Sequence, residues 1–103
     1  MDLSVVVPVY NEIESVTPLC EALYAALTGL NKSYEVLLVD DGSTDGTWDR
    51  LCELAEKYDH LRLIGLRGNF GQTAAMSAGI RESRGNIIVT MGADLQNDPA
   101  DIP

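Results

Sequence analysis

The chain has 103 residues and a formal charge of −9 at pH 7. Its length suits a single domain, and its composition, 46% hydrophobic and 22% charged, is typical of folded globular proteins. The acidic charge excludes unspecific binding to nucleic acid, because a polyanion would be repelled. It favours a divalent cation beside any phosphorylated ligand, since carboxylates and phosphates need a counterion between them.

The cysteines and the N-terminus set further limits. Cys20 and Cys52 lack metal-ligand spacing and fall on apolar stripes of predicted helices, so both are expected to be buried thiols. Met1 is followed directly by Asp2 and a strand-like run, which is unlike a signal peptide. No apolar run approaches the roughly 20 residues that span a bilayer. These features predict a cytoplasmic chain without a membrane segment of its own.

Four short apolar runs predict β-strands at residues 3–7, 36–39, 61–66 and 87–90. The first, second and fourth runs are nearly continuous in Val, Ile and Leu, which is typical of parallel strands covered on both faces. The third run is interrupted by Arg62. We therefore expect the third strand to lie at an edge of the sheet.

Helical patterns separate these strands. Apolar residues recur at helical spacing over residues 16–30 and again over 48–58, where Ser43 or Thr44 is the predicted cap. A third helix is predicted over residues 72–83, and its alanines and glycine would let it approach a sheet closely. The order β-α-β-α-β-α-β predicts an α/β fold with a Rossmann-like parallel sheet.

The polar clusters all follow strands. They occupy residues 8–12, 40–43, 67–71 and 91–96. Because ligands of such sheets bind outside the carboxyl ends of the strands, these clusters should meet at one binding edge.

Asp40 and Asp41 stand directly after the second strand. A carboxylate there can accept hydrogen bonds from a base or a ribose hydroxyl, and we assign this role to Asp40. Asp41 is interpreted as a turn and capping residue, which its Gly42 neighbour favours. After the first strand no G-x-G-x-x-G occurs, so a nicotinamide cofactor is not expected.

Three other clusters each have two interpretations. Tyr10 could stack on a base and Glu12 could hydrogen-bond to it, while Asn11 or Ser15 could equally be a helix cap. The amides of residues 68–71, before the third helix, suit an anion, but a plain turn explains them equally well. Asp94 and Gln96 offer oxygen ligands suited to Mg²⁺ or Mn²⁺, or they belong to an ordinary polar loop.

Four segments in order resemble family 2 glycosyltransferases of the GT-A fold, in particular dolichyl- and polyprenyl-phosphate sugar synthases. They are VVVPVYNE at 5–12, EVLLVDDGSTDGT at 35–47, GNFGQTAAMSAGI at 68–80 and DLQNDP at 94–99. The resemblance covers essentially the whole chain. It implies the nucleotide-sugar-binding front half of a GT-A fold over residues 1–103, with strand order 3-2-1-4.

The resemblance also implies roles for individual residues. Those expected to bind the nucleotide are Pro8, Tyr10, Glu12 and Asp40, together with Gly71 and Gln72 in a loop near the donor. The family's D-x-D motif binds Mg²⁺ or Mn²⁺ at the diphosphate, with Asp94 as its second aspartate and Gln96 nearby. The first aspartate of that motif is replaced by Gly92, which is expected to weaken charge compensation.

A family member continues well beyond this point, with the acceptor-binding half, the carboxylate general base and often membrane helices. The parent reaction would be inverting transfer of a sugar from a nucleoside diphosphate to polyprenyl phosphate, without turnover by this chain alone. One alternative is an inert fragment that self-associates through the open edge of its fourth strand. A weaker alternative is a phosphoacceptor signalling domain, although Arg67 follows the third strand where such domains carry aspartate.

Overall fold

The computed structural model describes residues 1–92. Strands and helices alternate in these residues. The seven elements are β1 (Leu3–Val9), α1 (Val16–Thr28), β2 (Tyr34–Asp40), α2 (Thr47–Lys57), β3 (Leu61–Gly65), α3 (Gln72–Glu82) and β4 (Ile87–Thr90).

The four strands form one parallel sheet in the order β3-β2-β1-β4. This confirms the predicted order and the placement of β3 at an edge. In register, Val9 on β1 lies opposite Asp40 on β2, whereas Val6 already lies opposite Thr90, the last residue of β4. β1 therefore extends three residues beyond its pairing with β4.

This difference in length explains how β1 can include Pro8, although the prediction ended the strand at Val7. Val6 points its carbonyl oxygen at β4, where it accepts from the Met91 amide at 3.1 Å. Pro8 lies two residues further along and so faces the same side, past the end of β4. The missing N–H of proline therefore breaks no hydrogen bond of the sheet.

The two faces of the sheet are covered differently. Side chains at alternate positions, Val5, Val7 and Val9, join the larger apolar core under α1 and α2. Val6 packs with Leu37 and Val39 on the opposite face, beneath α3. Within residues 1–92, the alternation places α1 and α2 on one side of the sheet and α3 on the other.

The small residues of α3 have the predicted effect. A Cβ atom at Gly79 would lie only 2.4 Å from Val6 Cγ1 and 3.1 Å from Val39 Cγ2. Such separations are shorter than van der Waals contact, so only glycine allows α3 to lie this close to β1 and β2. Gly79 therefore fixes the spacing between helix and sheet.

Two predictions about burial are wrong. Cys52 is exposed, unlike the buried Cys20, because α2 turns Leu51 and Leu54 toward the core and leaves Cys52 outside that row. β4 is not covered on both faces, since 58% of Ile87 and 40% of Ile88 are exposed. Only α3 covers its face of the sheet within residues 1–92, and β4 lies at the edge. None of the helices in that range is long and apolar enough to cross a membrane.

Candidate functional site

The predicted binding edge begins where β1 and β2 end side by side. The Asp41 amide donates to the Val9 carbonyl oxygen at 2.8 Å, and the Leu66 amide donates to the Asp40 carbonyl oxygen at 2.9 Å. These two hydrogen bonds connect the carboxyl ends of the three neighbouring strands β1, β2 and β3. Pro8 and Asp40 are brought to one place, with Tyr10 and Glu12 immediately after β1.

Asn11 ties the loop after β1 to the loop after β2. Its amide donates to Ser43 Oγ at 2.9 Å, and its side-chain oxygen accepts from the Thr44 amide at 2.8 Å. Asn11 adopts a left-handed backbone with a φ of 50°, which asparagine tolerates better than most residues. Asn11 therefore joins the two loops and does not cap α1.

Asp45 and Thr47 extend this connection into α2. Asp45 accepts from the Thr47 amide at 3.0 Å and from the Thr47 hydroxyl, and Thr47 Oγ1 accepts from the Glu12 amide at 3.1 Å. The hydroxyl bond is the largest cause that lowers the pKa of Asp45. The prediction of Ser43 or Thr44 as the cap of α2 is wrong, because the helix begins at Thr47 and Asp45 binds its first amide.

The carboxylate of Asp40 is almost completely buried, with 4% of the residue exposed. Its Oδ1 accepts from the Ser43 amide at 3.4 Å and from the Ser43 hydroxyl. Across the part of the chain that the structure describes, all side-chain hydrogen bonds of Asp40 fall on Oδ1. Within residues 1–92, Oδ2 has no hydrogen-bond partner.

Asp41 has a role that its sequence context did not predict. It is 3% exposed, and its two carboxylate oxygens accept from the Phe70 amide at 2.8 Å and the Gly71 amide at 2.9 Å. The prediction that Asp41 serves only its own turn is therefore wrong, and Asp40 makes the local turn contacts. The anion that binds these two loop amides is the protein's own carboxylate.

Gly42 brings the loops after β2 and β3 into direct contact. Its φ is 77°, and a Cβ atom there would lie 2.5 Å from the carbonyl carbon of Gly68 and 2.8 Å from the Asn69 nitrogen. Any side chain would therefore collide with backbone. Together with Asp41, Gly42 holds the β3–α3 loop, residues 66–71, against the end of β2.

The residues predicted to contact a donor differ in accessibility. Tyr10 is 41% exposed, and Phe70, which had not been singled out, is 65% exposed. Gln72 is exposed at the first turn of α3, and Glu12 and Gly71 are half-buried. The structure thus places Pro8, Tyr10, Glu12, Asp40, Gly71 and Gln72 along one edge of the sheet.

The predicted metal ligands Asp94 and Gln96 lie outside the described residues. Gly92 lies inside them, directly after Met91, whose amide is hydrogen-bonded to β1. Within residues 1–92 no group of three or more acidic, histidine or cysteine side chains could hold a metal ion.

A buried polar cluster at the amino ends of the strands, opposite the binding edge, was not predicted. Glu35 Oε2 accepts from Ser4 Oγ at 2.6 Å and from the Arg84 amide at 2.7 Å, and Oε1 accepts from Arg62 at 2.9 Å. Burial raises the pKa of Glu35, but these hydrogen bonds outweigh it and the pKa is lowered. The signal for this cluster was the polar Ser4 and Glu35 at matching positions of two apolar strands.

Comparison with known proteins assigns the family. The model of glycosyl transferase family 2 matches residues 4–103. The chain belongs to this family. It is 51% identical over its whole length to dodecaprenyl-phosphate galacturonate synthase of Rhizobium johnstonii. It is 45% identical, over 98% of its length, to undecaprenyl-phosphate 4-deoxy-4-formamido-L-arabinose transferase of Photorhabdus laumondii. The chain spans 31% of each of these relatives.

Solved structures agree with this family and with a GT-A-like fold. TarS 1-349 of S. aureus in complex with UDP-GlcNAc matches 91% of the chain at 26% identity, with a TM-score of 0.74, over 27% of its own length. The mannosyltransferase PcManGT of Pyrobaculum calidifontis, in complex with GDP-Man and Mn²⁺, matches 89% at 31% identity, with a TM-score of 0.72, over 27% of its length. These family 2 structures confirm the fold that the four motifs predicted.

Proposed function

We propose that this chain is the donor-binding portion of an inverting family 2 glycosyltransferase that transfers a sugar from a nucleoside diphosphate to polyprenyl phosphate. The observation that carries the proposal is Asp40, a buried carboxylate at the end of β2 whose hydrogen bonds to residues 1–92 use only one of its two oxygens. The names of the two curated relatives, which describe sugar transfer to prenyl phosphates, support the acceptor class. Family membership favours this function over a phosphoacceptor domain.

In this proposal Asp40 accepts hydrogen bonds from the base or ribose of the nucleotide. Tyr10 offers an exposed ring on which a base can stack, and Pro8 and Glu12 line the same end of β1. Gly71 and Gln72 lie at the start of α3, where they would border the donor sugar. No catalytic base is assigned within the chain, and we expect no turnover by residues 1–103 alone.

We also propose that Mg²⁺ or Mn²⁺ accompanies the donor, with Asp94 and Gln96 as the residues that would hold it. Carboxylate and amide oxygens are the ligands that both cations prefer. The Mn²⁺ in the PcManGT complex and the charge of −9 support a cation. Such an ion would neutralise negative charge on the diphosphate. Gly92 supplies no carboxylate, which is expected to lower affinity for the ion.

Calorimetry tests the proposed function on the intact protein that contains this chain. We expect a nucleoside-diphosphate sugar, tested among UDP and GDP forms with Mn²⁺, to bind. Asp40→Asn should weaken this binding about 10- to 100-fold, the effect of losing a hydrogen bond to a charged group. Asp59→Asn, an exposed aspartate at the other end of the sheet, is the matched control and should bind as wild type. Absence of binding by any nucleotide would overturn the proposal.

The exposed edge of β4 supports a second property of the isolated chain. Ile87 and Ile88 are both exposed, and the sheet order leaves one side of β4 without a neighbouring strand among residues 1–92. We propose that two copies of the separate chain associate through this edge, as unpaired strands do. Sedimentation should then show a dimer that an Ile88→Lys substitution dissociates. A strictly monomeric chain at high concentration would contradict self-association.

A further inference from the structure

We infer that Asp41 is a positioning residue for donor binding, because it fixes the β3–α3 loop at the edge where the nucleotide sugar is proposed to lie. The inference rests on the proposed function. It assigns Asp41 no contact with the donor. It states that the place of Gly71 and Gln72 depends on a carboxylate that belongs to the neighbouring loop.

The alternation of β2 explains how two successive aspartates have different roles. Leu37 and Val39 face α3, so Asp41 follows on that face and reaches the loop before α3. Asp40 follows Leu38 on the opposite face and bonds to Ser43. Asp40 thus contacts the loop that follows β2, and Asp41 contacts the loop that follows β3.

The contacts of Asp41 are suited to fixing a backbone. Two successive amides, of Phe70 and Gly71, each donate to a different oxygen of one carboxylate that is almost fully buried. Hydrogen bonds to an ionised acceptor are stronger than those between neutral groups, and the start of α3 further favours a negative charge. Loss of the carboxylate would leave the Phe70 amide without its acceptor and the Gly71 amide with only Asn69 Oδ1, at 3.2 Å.

The same loop is constrained from a second side. Gly42 lies so close to Gly68 and Asn69 that a methyl group would collide with them. Gly71 has a φ of 100°, which glycine adopts without strain, so the chain can turn sharply from the Asp41 contact into α3. The loop is thus held at two places, by the Asp41 carboxylate and by the close contact at Gly42.

The hydrogen bonds of the Phe70 and Gly71 amides to Asp41 also affect where the diphosphate of the donor can bind. A helix start preceded by a glycine-rich loop ordinarily suits a phosphate group. Here the Phe70 and Gly71 amides already bind Asp41, whose negative charge would repel a second anion. The donor is therefore expected to meet this loop through its sugar, with the diphosphate held elsewhere.

The test compares Asp41→Asn with Asp2→Asn in the intact protein. Asp2 also accepts from a backbone amide, that of Ser33 at 3.1 Å, but at the opposite end of the sheet. We expect Asp41→Asn to speed hydrogen exchange at the Phe70 and Gly71 amides and to raise the donor KM about tenfold, with the acceptor KM unchanged. Asp2→Asn should leave the donor KM at its wild-type value.

Two further variants keep the test decisive if Asp41→Asn does not fold. Asp41→Glu retains the charge and should recover part of the donor affinity. Gly42→Ala keeps the Asp41 carboxylate but displaces the loop, and it should also raise the donor KM. The inference is overturned if folded Asp41→Asn, or Gly42→Ala, binds donor as wild type does. A wild-type protein that binds no donor, with exchange still altered by Asp41→Asn, would instead refute the proposed function.

Discussion

Both ends of the parallel sheet bury acidic side chains, one at the amino end and two at the carboxyl end, and the two ends differ in the groups that bind these carboxylates. At the amino end Glu35 pairs with Arg62 and a serine hydroxyl. At the carboxyl end Asp41 binds backbone amides, and Asp40 binds the amide and hydroxyl of Ser43. At the amino end, the charge of Glu35 is thus neutralised by Arg62. At the carboxyl end, neither Asp40 nor Asp41 forms an ion pair with a cation among residues 1–92, an arrangement that would favour a ligand accompanied by a metal ion.

The largest expected effect at the amino end comes from Glu35→Ala. The change removes the acceptor of Ser4, Arg62 and the Arg84 amide together, so the free energy of unfolding in urea should fall by about 2–3 kcal/mol. Glu53→Ala is the control, because Glu53 forms only an exposed ion pair with Arg50 and should change stability little. Donor affinity should stay at the wild-type value in both variants. Equal stability of the two variants would show that the amino end is not a stabilising cluster.

A smaller loss of stability, accompanied by weaker donor binding, is expected at the carboxyl end from Asn11→Gly. Glycine keeps the left-handed backbone but removes the side-chain bond to the Thr44 amide, which should cost about 1 kcal/mol in urea unfolding. Asn31→Gly is a matched control, since Asn31 is exposed and has a φ of 54°. Equal losses of stability in the two variants would show that the hydrogen bond between Asn11 and the Thr44 amide does not stabilise the fold.

The smallest effect is a pH dependence of stability that originates at Glu35. Its pKa in the folded protein lies below the unperturbed value of 4.5. A carboxyl group of this kind stabilises the fold fully above its unfolded pKa, and the contribution is lost as pH falls through the folded pKa. Unfolding measured from pH 7 down to pH 3 should therefore show stability falling below about 4.5. Glu35→Gln should flatten this fall, and parallel curves for the two proteins would contradict the assignment.

The topology could be predicted from sequence because it depends on patterns along the chain. Short apolar runs separated by helical periodicity specify a parallel sheet, and the handedness of its connections limits the strand order. The clusters after each strand then fall at one edge by geometry alone. The common location of Tyr10, Asp40 and Gly71 at that edge was therefore predictable from the sequence.

The partners of individual side chains could not be predicted in this way. Asp41 and Phe70 are separated by 28 intervening residues, and no local pattern indicates that they meet. The exposure of Cys52 likewise depends on how far α2 rotates about its axis, which a single apolar stripe leaves undetermined. The role of Glu35 was not predicted because the predicted second strand began at residue 36, whereas β2 begins at Tyr34.

The close contact at Gly79 has a mechanical consequence for α3. The helix is pressed against Val6 near its C-terminal end, and it is tied through Gly71 to Asp41 at its start. Because α3 is held at both contacts, a methyl group added at Gly79 would push the C-terminal end of the helix away from Val6 while its start stays bound to Asp41, and the helix would tilt. The tilt would displace the C-terminal end of α3 most and Gln72, beside the fixed start, least.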